Sequence, residues 1–86
     1  MTTTNHILPE RERTLLLTLV PGPVTGDRLV SATRIGRQPM LYMLERMVAE
    51  GIIRRGAKGD GRLSLKDSFE LTHEGHLILD ADEKES

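Results

Sequence analysis

The sequence predicts an α+β domain made of three helices, a short β-hairpin and a closing helix. Three observations support this prediction. Apolar residues recur at the helical period of 3.6 between residues 9 and 50. After Gly51 apolar and polar residues alternate on both sides of a glycine-rich stretch, which is typical of two strands joined by a turn. After Thr72 the helical period returns.

Composition limits the range of functions before any motif is considered. The 86 residues form one small domain, and the charged fraction of 29% is ordinary for a globular protein. Because cysteine is absent, a disulfide scaffold, a cysteine zinc site and a thiol nucleophile are all excluded. No apolar run approaches the roughly 18 residues of a membrane span, and the first eight residues lack the basic start of a signal peptide. We therefore expect a cytoplasmic protein with no membrane partner.

The first three predicted helices each begin with residues that are favoured at helix N-termini and stop at a glycine or proline signal. They cover Pro9 to Val20, Thr25 to Arg34, and Arg37 to Glu50. Helix 1 contains Leu15, Leu16 and Leu17, which cannot all face one core, so at least one is expected to contact a partner.

The predicted hairpin begins with a strand at Ile52–Arg55 and turns through Gly56–Gly61. The returning strand lies at Leu63–Leu65, at Ser68–Leu71, or at both. Thr72 is expected to cap the closing helix. The predicted organisation is a flexible leader at 1–8, a domain at 9–80 and an acidic tail at 81–86.

Two short helices that meet at a tight glycine-containing turn are typical of a helix-turn-helix, and a hairpin directly after them makes it a winged helix-turn-helix. The charge distribution agrees with such a fold. The net charge is −1, yet residues 28–66 hold nine basic and three acidic residues, a net charge of +6. This segregation favours a nucleic-acid partner over an evenly charged surface.

Two stretches of the chain resemble the winged helix-turn-helix transcriptional regulators of the PadR and MarR type, PadR most closely. Leu44–Ile53 is similar to the family pattern Leu-x-Arg-Leu-x-x-Glu-Gly-Leu-Ile, and Phe69–Gly75 to the pattern aromatic-x-Leu-Thr-x-Glu-Gly. Gly26–Leu29 opens helix 2 as in that family, and Arg37 stands where the family places an arginine. The resemblance covers roughly residues 26 to 79 and implies a DNA-binding transcriptional regulator, with repression as the expected action.

The chain also departs from the family pattern. Leu41 stands where the family usually has tyrosine, and Tyr42 follows one position later, which turns its side chain outward by about 100°. PadR-type proteins carry a long C-terminal region for dimerisation, and residues 81–86 do not resemble it. We therefore expect any homodimer to form through helix 1, the closing helix, or both.

In a helix-turn-helix the N-terminal residues of the second helix reach base edges in the major groove, while the wing contacts the backbone or the minor groove. This arrangement gives the predicted DNA-binding residues: Arg34, Arg37, Gln38, Tyr42, Arg46, Arg54, Arg55, Lys58 and Arg62. The alternative for helix 3 is a solvated face of a core helix, and for the hairpin a flexible loop that charge keeps soluble.

No catalytic constellation is apparent, so we expect neither an enzyme nor a cofactor. The glycines at Gly56–Gly61 lie between strands, whereas a phosphate-binding loop precedes a helix. His73 and His76 have a spacing that can hold a metal, but no cysteine accompanies them, and an exposed polar face is the better interpretation. Met40, Met43 and Met47 are expected to fill the core rather than to line a ligand pocket.

Two other functions stay open. The acidic ends and the near-neutral net charge favour a winged helix that binds a protein within a larger assembly. The short length favours a small excisionase-like architectural factor that bends DNA. Salt dependence distinguishes DNA binding from protein binding, and a fixed half-site spacing distinguishes a dimeric repressor from an architectural protein.

Overall fold

The computed structural model describes residues 8–57, 59 and 61–85. Within these residues, four helices and a three-stranded antiparallel sheet confirm the α+β class. In chain order the elements are α1 (Glu10–Leu19), β1 (Val24–Thr25), α2 (Gly26–Thr33), α3 (Arg37–Ala49), β2 (Ile53–Arg55), β3 (Ser68–Leu71) and α4 (His73–Glu85).

The helix boundaries follow the capping signals in the sequence. The Thr25 hydroxyl accepts a hydrogen bond from the Arg28 N–H at 3.2 Å, which satisfies one free amide at the start of α2. The Thr72 hydroxyl does the same for the Gly75 N–H at 3.1 Å in α4. After α3, Gly51 adopts a φ of +79°, a left-handed conformation that glycine takes without steric cost.

The sheet has one strand more than the predicted hairpin. β3 is central and pairs with β2 on one side and with β1 on the other, where Val24 opposes Phe69. The two residues of β1 are too few to leave a periodic pattern in the sequence. Of the two candidates for the returning strand, Ser68–Leu71 is observed, whereas Leu63–Leu65 lies outside any strand.

The core is aliphatic around one aromatic ring, as the composition indicates. Phe69 is fully buried, and Met40, Met43 and Met47 are buried with it, which confirms that the methionines fill the core. Leu15 and Leu16 are fully buried, but Leu17 keeps 42% of its surface exposed. The expectation that one leucine of this run faces away from the core is therefore confirmed.

A buried carboxylate joins the two ends of the described chain. Asp82 is fully buried; its Oδ1 accepts a hydrogen bond from the Leu8 N–H at 3.1 Å, and its Oδ2 forms an ion pair with Arg13 Nε at 3.0 Å. The structure thus continues α4 into the segment predicted as an acidic tail at 81–86. Of the predicted leader, Leu8 is buried in the core, and residues 1–7 lie outside the described part.

We expect Asp82→Ala to lower the free energy of unfolding by about 3 kcal/mol, because it removes both the buried ion pair with Arg13 and the acceptor of the Leu8 N–H. Urea denaturation followed by circular dichroism measures the change. The matched control is Glu83→Ala, which removes an exposed acid from the same helix and is expected to cost less than about 0.5 kcal/mol. Equal effects of the two substitutions would contradict this role of Asp82.

Candidate nucleic-acid interface

The first half of α3 presents a row of exposed polar side chains. Arg37 and Gln38 lie in its first turn, and Tyr42 follows one turn later with 68% of its surface exposed. Met40 and Leu44 on the opposite side of the helix are fully buried. The outward orientation predicted for Tyr42 is confirmed, and the helix offers three hydrogen-bonding side chains without disturbing the core.

Residues 61–67, the described run of chain that precedes β3, lie beside this row; we call this run the β2–β3 segment. Two shallow grooves separate it from α3. The grooves are lined from α3 by Arg37, Gln38, Leu41, Tyr42 and Glu45, and from the β2–β3 segment by Arg62, Leu63, Ser64, Leu65 and Lys66. These ten residues are called the α3 surface below.

Lys66 belongs to the α3 surface although the sequence analysis did not place it among the DNA-binding residues. It is exposed and lines the same groove as Arg37 and Gln38. The one sequence feature that points to Lys66 as a DNA contact is its position at the end of the basic residues 28–66. The fold of the β2–β3 segment, which brings its last residues back to α3, cannot be read from that position.

Arg34 lies in the turn between α2 and α3 with an uncommon backbone conformation. Its φ of +64° is in the left-handed region, which is disfavoured for most residues other than glycine and asparagine. Its N–H closes α2 by donating to the Val30 carbonyl at 2.9 Å, and its side chain is exposed. In the described part of the chain it is the one non-glycine residue with positive φ.

Two of the predicted cations on α3 are held by carboxylates. Arg37 Nη1 lies 3.0 Å from Asp27 Oδ1 at the start of α2, and both side chains stay largely exposed. Arg46 binds Glu12 of α1 and, at 3.4 Å, Glu50, the residue directly after α3. The hydrogen bond with Glu12 raises the pKa of Arg46 above its ordinary value. Arg46 therefore joins α1 to α3 through a contact between residues 34 positions apart, which no local sequence pattern predicts.

The predicted cations of the hairpin divide into three groups. Arg54 is exposed and bonds to Glu70, directly opposite on β3, at 2.6 Å. Arg55 is half-buried and bonds to Asp67 at 2.8 Å. Arg62 is exposed and has no carboxylate within ion-pair distance among the described residues. Lys58 lies outside the described residues.

Four described cations in the basic stretch are exposed and lack a carboxylate neighbour within the described ranges. These are Arg28, Arg34, Arg62 and Lys66. Two of them, Arg62 and Lys66, lie on the α3 surface. The positive charge available to an anionic partner is thus smaller than the net charge of +6 on residues 28–66, because ion pairs neutralise Arg37, Arg46, Arg54 and Arg55.

Other kinds of site find little support in the described residues. No three His, Asp or Glu side chains within 8–57, 59 and 61–85 lie close enough to share a metal ion. His73 and His76 are exposed on α4. In the same part of the chain, no helix combines the length and the apolar run that crossing a membrane requires.

No family model matches the sequence, and no curated protein matches it.

We expect Arg46→Gln to lower the free energy of unfolding by about 1 kcal/mol, since Glu12 is largely buried beside it but Arg46 itself remains partly exposed. The matched control is Arg54→Gln, which breaks a more exposed pair and is expected to cost less than about 0.5 kcal/mol. Urea denaturation of Glu12→Gln, of Arg46→Gln and of the Glu12→Gln/Arg46→Gln double variant gives the coupling energy of the pair. A coupling energy of zero would show that the pair does not hold α1 to α3.

Proposed function

We propose that the chain is a winged helix-turn-helix protein that binds double-stranded DNA in a sequence-specific manner and represses transcription. In this proposal α3 lies in the major groove, and the β2–β3 segment is the wing that contacts the backbone or the minor groove. Such a regulator acts in the cytoplasm, associated with the nucleoid.

The observation that carries the proposal is the composition of the α3 surface. Arg37 and Gln38 are side chains that pair with guanine and adenine edges, and they occupy the exposed first turn of the helix. Arg62 and Lys66 lie beside them on the β2–β3 segment, and both are exposed, so they are available to contact phosphates.

The ion pair between Arg37 and Asp27 is compatible with this role. Both side chains are largely exposed, and a pair of this kind is worth at most about 1 kcal/mol. A guanine edge or a phosphate can therefore replace Asp27 at small cost. Arg46 is different: because Glu12 is largely buried beside it, this guanidinium is less free to reach DNA. It remains among the predicted contacts, with the weakest structural support of those on α3.

The conformation of Arg34 is a second support. Glycine would relieve the left-handed backbone at this turn, yet an arginine with an exposed side chain occupies it. A conformation that costs about 1 kcal/mol or more is retained in proteins where the side chain serves a purpose. We infer that Arg34 contacts a phosphate as α3 enters the groove.

We expect the wild-type protein to bind a labelled mixed-sequence duplex, with an affinity that falls steeply as salt rises. Arg34→Gly and Arg62→Gln should each reduce the slope of log K against log salt by about one, because each removes one phosphate contact. The control is Arg11→Gln, which removes an exposed cation of α1 outside the α3 surface and should leave the slope unchanged. Fluorescence anisotropy at several salt concentrations gives all four slopes.

Absence of wild-type binding at low salt would overturn the proposal. A protein-binding module would then be the better interpretation, because the side of the molecule formed by α1 and α4 exposes Leu17, Val20 and Leu77, which could contact a protein. Binding without a fixed half-site spacing, once target sites have been selected from a random library, would favour the architectural factor.

We also propose that the regulator is a homodimer. A shallow groove between α1 and α4 is lined by Leu17, Val20 and Leu79, and Leu77 of α4 is half exposed. A single module of this size buries only about 600–1,000 Å² on DNA, so two copies on a palindromic site give a stronger specific complex.

We expect Leu17→Glu to convert a dimer into a monomer without loss of helical content, because the charge would be buried at the interface. Sedimentation equilibrium measures the mass, and circular dichroism measures the fold. The control is Tyr42→Glu, which changes an exposed aromatic residue on the α3 surface and should leave the dimer intact. A monomeric wild-type protein, or a dimer that survives Leu17→Glu, would contradict the assignment of this interface.

A further inference from the structure

The sheet register separates the two neighbouring arginines of β2. Arg54 opposes Glu70, and Arg55 opposes Phe69. Directly opposed residues lie on the same face of a sheet, and successive residues alternate between faces. Arg55 therefore lies on the core face of the sheet with the buried Phe69, whereas Arg54 lies on the outer face. Their side-chain exposures agree, at 21% for Arg55 and 65% for Arg54.

From this inner position Arg55 holds the β2–β3 segment together. Its Nε donates to Asp67 Oδ2 at 2.9 Å, and its Nη1 and Nη2 donate to the carbonyls of Gly61 and Arg62 at 2.9 and 3.1 Å. Asp67 Oδ2 also accepts from the Ser64 N–H at 2.9 Å. One guanidinium and one carboxylate thus fix the residues from 61 to 67, which include the Arg62 and Lys66 cations of the α3 surface.

The same segment is attached to the start of α2. The Gly26 N–H donates to the Asp67 carbonyl at 3.0 Å, and the Asp27 N–H donates to the Leu65 carbonyl at 2.9 Å. These bonds satisfy two amides that a helix N-terminus otherwise leaves free. A Cβ on Gly26 would lie 2.7 Å from the Leu65 Cα, so only glycine permits this approach.

A chain of contacts therefore runs from the hairpin to α3. It begins at Arg55, passes through Asp67 to the first residues of α2, and reaches Arg37 through the Asp27 carboxylate. Arg55 and Asp67, at the start of this chain, are half-buried and make several hydrogen bonds each, so they fix the position of the β2–β3 segment relative to α3.

We propose that Arg55 and Asp67 are positioning residues that fix the spacing between the β2–β3 segment and α3, so that both reach one DNA duplex at once. In this role Arg55 makes no phosphate contact, although the sequence placed it among the DNA-binding residues. The inference rests on the proposed function. Its physical basis is preorganisation: a segment already held in its bound position loses less conformational entropy on binding.

The test uses the opposite charges of the two residues. Asp67→Ala removes a negative charge, and Arg55→Met removes a positive one. If charge alone governs binding, the first variant binds DNA more tightly than wild type and the second more weakly. If the two residues position the segment, both variants bind at least about threefold more weakly than wild type, because both must order the segment on binding.

The matched control is Glu70→Ala, which also removes one acid from this sheet region but breaks only the exposed pair with Arg54. It should bind a mixed-sequence duplex as tightly as wild type, or more tightly, in anisotropy titrations. Tighter binding by Asp67→Ala, similar to that of Glu70→Ala, would overturn the positioning role.

Amide hydrogen exchange of the DNA-free protein provides an independent measurement. We expect Asp67→Ala and Arg55→Met to lose protection at the Ser64 and Gly26 amides while the α1 amides stay protected, and Glu70→Ala to keep wild-type protection throughout. Unchanged protection in the first two variants would overturn the proposal even if they bind DNA weakly. If wild type binds no DNA, the proposed function fails, and the exchange result alone decides whether Arg55 and Asp67 hold the segment.

Discussion

The close approach of Leu65 to Gly26 places the β2–β3 segment against the start of α2, and the rest of the candidate interface depends on this contact. Two backbone hydrogen bonds cross it, from Gly26 to the Asp67 carbonyl and from Asp27 to the Leu65 carbonyl. They supply the partners that the first amides of α2 need. Because α3 follows α2 after a turn of only three residues, the same contact sets where Arg62 and Lys66 lie relative to the exposed side chains of α3. Arg55 and Asp67 make this arrangement rigid from the other side.

Charge in this small domain has two separate uses. Arg13 with Asp82, Arg46 with Glu12, and Arg55 with Asp67 all join parts of the chain that are distant in sequence. Their partly buried positions make them structural contacts, since breaking a buried pair costs more than breaking an exposed one. The cations left without carboxylate neighbours in the described part of the chain are exposed. A domain with an aliphatic core and few aromatic residues thus uses arginine both to hold its elements together and to furnish a surface for an anionic partner.

Helical periodicity, proline and glycine signals and the Thr25 and Thr72 caps were sufficient to predict the four helices of the described residues and the first hairpin strand, because these signals act locally. For the returning strand they left two candidates, Leu63–Leu65 and Ser68–Leu71, of which only the second is a strand. They also predicted the outward direction of Tyr42. Strand β1 was not predicted, because its two residues are too few to show an alternation of apolar and polar side chains. The roles of Asp67 and Asp82 were not predicted, because their partners Arg55 and Arg13 lie 12 and 69 residues away in the sequence. For Arg55 a local signal existed: alternation along β2 places it on the same face as Ile53, and so away from solvent.

A chemical-shift map of the ¹⁵N-labelled protein, titrated with a mixed-sequence duplex at low salt, shows directly whether α3 and the β2–β3 segment bind DNA together. We expect the perturbed amides to cluster in the turn at Arg34, in the first half of α3 and in residues 61–66. The α1 and α4 groove around Leu17 and Leu79 should remain unperturbed. Perturbations confined to that groove, or a titration that shifts no amide, would contradict the claim that α3 and the β2–β3 segment together form a DNA-binding surface.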